Sequence, residues 1–462
     1  MTALQRRITM AICVIVGLSL LTAAGLTFLV APMADGLNLS DGDVEEILAI
    51  PSVGSLLAVF SAGYLGDRFG QRRTLALSAV GFSAGAVVLA TANGAFMVEI
   101  GLAMCAASAI TLQIVGVSLL QRATVEGRAQ VSAFTTYGMI FPLAFLILPV
   151  VTAAVLGLAN WRLVPLLWVL AGVCIWILVL TLLQHDDPVG VQAEWVTPLL
   201  AGIALAGSAR AVAELSHIEK DPRTVIVGAL VALGAGLPCL LLVRSQPHPG
   251  LTFAAVSDRT MRVLLLAVGL VSFVGLLTFV SIAMEYFYDM TPFQASLAVI
   301  PAQIGAIIGA KVVATWAIRR WGGTRASRAL LFIIAIAMLP LLGVQADTPA
   351  WYLVGIAAIF SCAGMGALTV LNAEVMRRAP AASTGSVSSF RTAASSIGAA
   401  FGVAVFGTLI ISAVQVDAGI TAVSLAQLEE LAERLRMVGA ISSAAALLGG
   451  LALLRVLRRQ TA

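Results

Sequence analysis

Apolar windows recur along the chain, each about twenty residues long and closed by a short break carrying arginine, glycine, proline or aspartate. A helix rises about 1.5 Å per residue, so about 20 apolar residues match the hydrocarbon core of a bilayer. The windows fall near residues 8–30, 44–66, 75–93, 97–120, 129–157, 162–184, 195–215, 223–243, 261–285, 293–318, 328–346, 351–376, 386–413 and 436–456. They predict fourteen membrane-spanning helices in an all-α protein. In the stretch 424–436, Leu425, Leu428, Leu431 and Leu435 recur at helical spacing among Glu429, Glu430, Glu433 and Arg434. It reads as an amphipathic helix on the outer surface or as a loop cap.

Composition agrees with this pattern. The 462 residues are 60% hydrophobic and only 11% charged, too little polar surface for a water-soluble globule of this size. The apolar run after Arg6 and Arg7 is longer than the roughly 7–15 residues of a signal-peptide core, so it is read as the first span. Cys13, Cys105, Cys174, Cys239 and Cys362 all lie in predicted spans without metal-like spacing, as small packing residues do. The net charge of +4 matters less than where the charges lie. With a cytoplasmic N-terminus, 19 of the 27 Lys and Arg residues fall on the cytoplasmic side, and the opposite topology reverses the positive-inside bias. Both termini are therefore expected in the cytoplasm of a bacterium, with the chain multi-pass in the plasma (inner) membrane.

Polar, proline-containing loops at 185–194 and 245–260 divide the chain into six, two and six spans. The expected organisation is an N-terminal bundle at 1–184, two extra helices at 185–250 and a C-terminal bundle at 251–462. An internal echo supports related halves. Ile50-Pro51 leads to Leu65-Gly66-Asp67-Arg68-Phe69-Gly70-Gln71-Arg72-Arg73, and Ile300-Pro301 leads to Ile318-Arg319-Arg320-Trp321-Gly322-Gly323-Thr324-Arg325.

Gly63-Tyr-Leu65-Gly-Asp67-Arg68-Phe-Gly70-Gln-Arg72-Arg73 resembles the signature loop between the second and third helices of the major facilitator superfamily. Three further segments resemble its fourteen-span drug:proton antiporter family: Asn160-Trp161-Arg162, Pro292 through Pro301, and Gly385 through Ser389-Phe390-Arg391 to Gly407, the last resembling the thirteenth helix. The resemblance runs from about Leu29 to Gly407 and implies a major facilitator fold of fourteen helices arranged 6+2+6. It also implies that Asp67, with Gly63, Arg68, Gly70, Arg72 and Arg73, forms a conformational latch. Its carboxylate would pair locally with the neighbouring arginines while facing the N-terminal end of the thirteenth helix near Gly385. The alternative is that these charges only set topology. The chain departs from the antiporter pattern at three places. Ala23 stands near the usual acidic residue of the first helix, Leu102 near the usual arginine of the fourth, and Leu148-Pro149-Val-Val-Thr152-Ala153 replaces the glycine-rich signature of the fifth. Proton antiport is an inference lacking those supports.

Ionisable groups inside spans are costly and point to function. Glu285 reads as a proton- or cation-binding carboxylate at a cavity mouth, or as a carboxylate in headgroup water. Lys311, about two turns before Arg319, either snorkels to the interface or meets a ligand. Glu374 and Arg391 make a candidate cytoplasmic gate, with a static buried pair as the alternative. Gln113, Tyr137 and Asn372 are uncharged cavity candidates, although polar groups also hold helices together in lipid. Gly305-x-x-x-Gly309 and Gly398-x-x-x-Gly402 read first as packing sites. Gly81-Phe-Ser83-Ala-Gly85 matches a hydrolase nucleophile elbow but falls in mid-span. His185, His217 and His248 form no metal, haem or phosphate-loop pattern.

An enzyme is therefore not expected, nor a cofactor, a metal or a nucleic-acid partner. The leading expectation is a monomeric secondary transporter that exports a hydrophobic or amphiphilic small molecule, drug-like or lipid-like, by alternating access. Protons are the candidate coupling ion, and membrane lipid surrounds the chain. An uncoupled facilitator, a lipid transporter and a non-transporting receptor with the same fold remain open alternatives.

Overall fold

The computed structural model describes residues 1–124, 127–157, 160–183, 194–217, 222–246, 256–274, 284, 288, 290, 294, 297–411 and 425–460. Among the described residues there are helices and turns and no strand. A chain surrounded by lipid has no water to satisfy its backbone, so helices that satisfy their own amides are the expected solution.

In the first half these are α1 (Ala3–Ser19), α2 (Leu21–Leu37), α3 (Asp41–Phe69), α4 (Gln71–Ala90), α5 (Ala95–Ala123), α6 (Gly127–Leu156) and α7 (Leu163–Leu182). Next come α8 (Val196–Ala213), α9 (Pro222–Ser245), α10 (Arg259–Phe273) and α11 (Ile300–Ile308). A π-helical turn (Gly309–Val313) leads to α12 (Ala314–Trp321), followed by α13 (Gly323–Met338), α14 (Ala350–Arg377), α15 (Thr384–Ile411) and α16 (Leu425–Gln460). Thirteen helical stretches among the described residues are long and apolar enough to cross a membrane. The ninth predicted span is described only as α10, so its outer end, with Glu285, lies outside the described residues.

Two expectations change. The first span is broken at Leu20, and α2 runs on to a left-handed Asn38 (φ 51°). From Leu425 on, the stretch expected as a surface helix or a cap is neither, because it begins α16, which continues unbroken into the last span. Leu431, Leu435 and Val438 are buried there, so the leucine stripe is the start of the packed face of one long helix.

The helices fall into two compact units. One comprises Met1–Ser208, Gly228–Ser257 and Met376–Ala393; the other comprises Ala209–Val227, Asp258–Val375 and Ala394–Ala462. In the first, α4 packs between α5 and α7, and α3 lies on α5. Lipid provides no hydrophobic force between helices, so close backbone approach at small residues has to supply the packing. The glycines of the hydrolase-like motif do this: a Cβ on Gly85 would meet Gly101 O at 2.8 Å, and Gly172 of α7 lies against Ser83. The greater part of the extra helices, up to Ser208 in α8 and from Gly228 in α9, belongs to the same unit, where Gly202 rests on the Leu57 carbonyl of α3 and Gly207 faces α9. The outer side of α9 leaves Ile226, Leu230, Leu233, Leu237 and Leu241 exposed, as a lipid-facing helix requires. In the second unit, Gly305 and Gly309 lie against the Ala358 and Cys362 carbonyls of α14, and Gly398 and Gly402 against Gly269 and Phe273 of α10. All four act as packing sites.

The echo seen in the sequence is also a backbone echo. Helix α3 ends and α4 begins at Gly70 (φ 89°, ψ 146°), and α12 gives way to α13 at Gly322 (φ 75°, ψ 164°). A residue with a Cβ is strained at such φ, which accounts for glycine at both.

Candidate functional site

The site lies in the first unit, where the ends of α3 and α5 meet the start of α15. Every helix leaves its first four amides without an intrahelical partner and carries partial positive charge there. Asp67 meets that need for α15. Its Oδ1 accepts from the Gly385 amide at 3.0 Å, and its Oδ2 from the Ser386 amide at 3.0 Å and from Ser386 Oγ at 3.4 Å. A guanidinium N–H of Arg122 donates to Oδ1 at 3.0 Å and completes an ion pair. Asp67 is 3% exposed, so four donors on one carboxylate are what makes burial of its charge tolerable.

The contact extends on both sides. Arg122 Nε donates to Thr384 Oγ1 at 3.0 Å, Ser118 Oγ donates to the same oxygen at 2.7 Å, and Gln71 Nε2 donates to Ser118 Oγ. Further along α15, Ser388 Oγ donates to Ile114 O at 3.1 Å and Ser389 Oγ to Val59 O at 2.6 Å. Phe390 meets Phe60 edge to face at 5.4 Å. Such proximity needs small residues. A Cβ on Gly63 would collide with Gly385 O and Ser389 Oγ, and one on Gly385 with Gly63 O and with Asp67 Cγ at 2.9 Å.

The expected local pairing of Asp67 with Arg68, Arg72 and Arg73 is replaced by the pair with Arg122. A neighbour one residue away on a helix points to a different side, and Arg72 and Arg73 lie beyond the break at Gly70 on α4. Arg68 donates to Tyr64 Oη at 2.8 Å and covers the Phe69 ring at 5.2 Å. Arg72 donates to the Leu180 carbonyl at 2.7 Å and the Val179 carbonyl at 3.4 Å, at the C-terminal end of α7, where a cation is favoured. Arg73 is exposed. Arg122, Thr384, Ser118 and Gln71 were missed: Arg122 had the appearance of one more positive-inside charge, and isolated hydroxyls in apolar spans carry no periodic signal.

The remaining candidates are spread through the structure. Arg391 is 8% exposed; it donates to Thr392 Oγ1 at 3.1 Å, its Nε has no hydrogen-bond partner, and Tyr137 lies within electrostatic reach. Tyr137 is buried on α6 against Phe141. Glu374 is buried and accepts from Thr324 Oγ1 at 2.9 Å, with its other oxygen beside Gly323. Asn372 keeps a buried Oδ1 without a partner. Gln113 lines a cavity of about 80 Å³ with Ser19, Thr22, Ala23, Ser55 and Leu102. The structure thus brings Ala23 and Leu102 to one cavity, and both are apolar. Among the described residues no group of three or more metal-ligating side chains occurs.

A many-spanned helical bundle with the same turn repeated at Gly70 and Gly322 is the build of a membrane transporter. The chain matches the Major Facilitator Superfamily over residues 12–403 and belongs to that family. It is 23% identical over 367 residues to the drug efflux pump JefA of Mycobacterium tuberculosis, covering 78% of this chain and 71% of that protein. It is 24% identical over 370 residues to the multidrug efflux pump LfrA of Mycolicibacterium smegmatis, covering 78% and 72%. Among solved structures, the human organic anion transporter MFSD10 superposes with a TM-score of 0.64 at 15% identity, covering 96% of this chain and 99% of that one. The proton:xylose symporter XylE superposes at 0.65 and 12% identity, covering 96% and 95%. At such identities these structures establish the fold alone.

Proposed function

We propose that the protein exports a hydrophobic or amphiphilic small molecule, drug-like or lipid-like, across a bacterial inner membrane by alternating access. The observation that carries this reading is the Asp67 network. It joins α3 and α5 to the start of α15 through hydrogen bonds and one ion pair, with no covalent or interlocked element. Water can replace each of those bonds when the helices part, so the contact suits a latch that closes and opens once per cycle. In this reading Gly63, Asp67 and Gly70 form the latch as the sequence suggests, and Arg122 takes the role expected of Arg68, Arg72 and Arg73. Glu374 and Arg391 act as gate charges, and Gln113, Tyr137 and Asn372 face the substrate path. The relatives described as drug efflux pumps and the apolar lining beside Gln113 both favour an amphiphilic substrate. The protein works as a monomer with both termini in the cytoplasm.

A second reading, transport without proton coupling, is favoured by Ala23 and Leu102. A proton carrier needs a carboxylate that alternates between pairing and protonation, and this cavity has none in its lining. Glu285 and Glu374 are then the remaining carriers. The deciding experiment is flux in proteoliposomes with and without an imposed pH gradient, for wild type, Glu285→Gln and Asp67→Asn. Gradient-driven efflux lost in Glu285→Gln supports antiport, and flux indifferent to pH supports the uncoupled reading. No flux across a broad amphiphile panel overturns the exporter assignment and favours a receptor.

A further inference from the structure

Arg391 is left unexplained by the latch. It is the one buried basic side chain among the described residues, at 8% exposure. It stands six residues beyond Gly385 on α15, about 9 Å further into the span than the Asp67 contact by the helical rise. An arginine at such depth ordinarily pairs with a carboxylate or reaches an interface on its long stem. Arg391 does neither. Its Nη2 donates to Thr392 Oγ1 at 3.1 Å, and that hydroxyl in turn donates to the Ser388 carbonyl at 2.9 Å. Its Nε has no partner, and the titratable group acting on the guanidinium is the phenol of Tyr137 on α6. Glu374, the partner expected from the sequence, accepts from Thr324 and belongs to the other unit. Where Asp67 has four donors around one buried charge, Arg391 has a single hydroxyl and no opposite charge among the described residues.

An apolar cavity lies next along the same helices. Ser389 reaches Val59 of α3 and Ser388 reaches Ile114 of α5. One helical turn from those contacts, toward the turn of α15 that carries Arg391, α3 presents Ser55 and α5 presents Ile110. Both line the cavity of about 80 Å³ beside Gln113. A guanidinium without a counter-charge and an apolar recess therefore follow one another within the first unit, to which all these residues belong.

We propose that Arg391 binds the acidic head of the substrate, and that the substrate is an amphiphilic carboxylate or sulfonate whose apolar body enters the Gln113 cavity. The guanidinium is planar, and its unpartnered Nε together with an Nη makes a fork that matches two oxygens of such a head. Tyr137 supplies a further hydroxyl donor from α6. The same charge discriminates against a cationic amphiphile, which would meet an unpaired like charge in a buried site. This inference rests on the exporter reading and narrows its substrate, and it gives Arg391 a counter-charge that comes from the cargo.

The test is equilibrium dialysis of the full-length protein in phosphatidylcholine nanodiscs, with empty nanodiscs as the blank. Three probes share one apolar body: pyrenebutyrate, pyrenebutanol and pyrenebutyl-trimethylammonium. Wild type should bind the carboxylate at least about tenfold more tightly than the alcohol, the scale of one charge-assisted hydrogen bond, and the ammonium most weakly. R391Q should bind carboxylate and alcohol alike, R391K should keep part of the preference, and R7Q, which removes an exposed cation of the same unit, should keep all of it. Equal binding of the three probes by wild type, a preference for the ammonium, or an undiminished preference in R391Q overturns the proposal. If R391Q fails to fold, maleimide labelling of Thr392→Cys in a protein whose native cysteines are replaced decides. Slowing by pyrenebutyrate and not by pyrenebutanol supports the site, and equal rates with either probe refute it. Binding is read without transport. An anion preference that depends on Arg391 in a protein that moves no amphiphile in proteoliposomes removes the exporter reading alone, and flux without that preference removes this inference alone.

Discussion

The Gly70 turn and the Gly322 turn share a backbone and differ in charge. Both end a helix at a glycine of positive φ and both start the next one immediately. Three residues before the glycine, the first copy has Asp67 and the second has Arg319. The acid sits among the free amides of α15 and is buried; the arginine lies on an open face with Lys311 and Arg320. The geometry of the turn therefore does not determine its partner. One charge does, because a helix N-terminus accepts an anion and repels a cation. The start of the following helix is tied down in both copies, by Gln71 to Ser118 in the first and by Thr324 to Glu374 in the second.

The sharpest way to break the comparison is to give the first turn the charge of the second. Asp67→Arg places a cation against Arg122 and the α15 amides in a buried site, and flux in proteoliposomes should fall below detection. Removing one member of a buried pair typically costs about 3–5 kcal/mol, and a reversed charge costs no less. Arg122→Gln comes next. It leaves the amides and Ser386 on Asp67 but removes the cation, and should reduce flux by about tenfold, with a double-mutant cycle against Asp67→Asn showing strong coupling. Gly63→Ala should follow, separating α3 from α15 and lowering flux while the purified protein still elutes as a single species.

The smallest effect should come from the shared backbone. Gly70→Ala and Gly322→Ala each place a Cβ at positive φ with an extended ψ and should each lower thermal stability by an amount worth about 1–3 kcal/mol. A large difference between these two would mean that the turns are not structurally equivalent.

Much of this comparison was legible in the sequence, and for identifiable reasons. Asp67, Gly63 and Gly70 stand in a dense motif, and the echo at Gly322 is visible because glycine and arginine recur beside an apolar run. The start of α15 near Gly385 came from family likeness, since nothing local in Thr384-Gly385-Ser386 announces a partner more than three hundred residues away. Arg122 was hidden because a basic residue at a helix end has an ordinary explanation in topology. The break at Leu20 was hidden because a single serine, Ser19, beside it in a long apolar run is no breaker and neither proline nor glycine adjoins it. The merging of 425–436 into α16 was hidden because a leucine stripe has the same spacing on a surface helix as in a packed one.

The most direct test of the central claim, that Asp67 holds the start of α15 in a contact that opens during the cycle, is cysteine accessibility. Val387 is fully buried beside the network and makes none of its hydrogen bonds. With the five native cysteines replaced, Val387→Cys is exposed to a water-soluble maleimide in the wild-type and Asp67→Asn backgrounds. The account predicts slow labelling in the first and labelling at least about tenfold faster in the second, as expected when a contact worth more than about 1.4 kcal/mol is lost. Equal labelling in both backgrounds would contradict it.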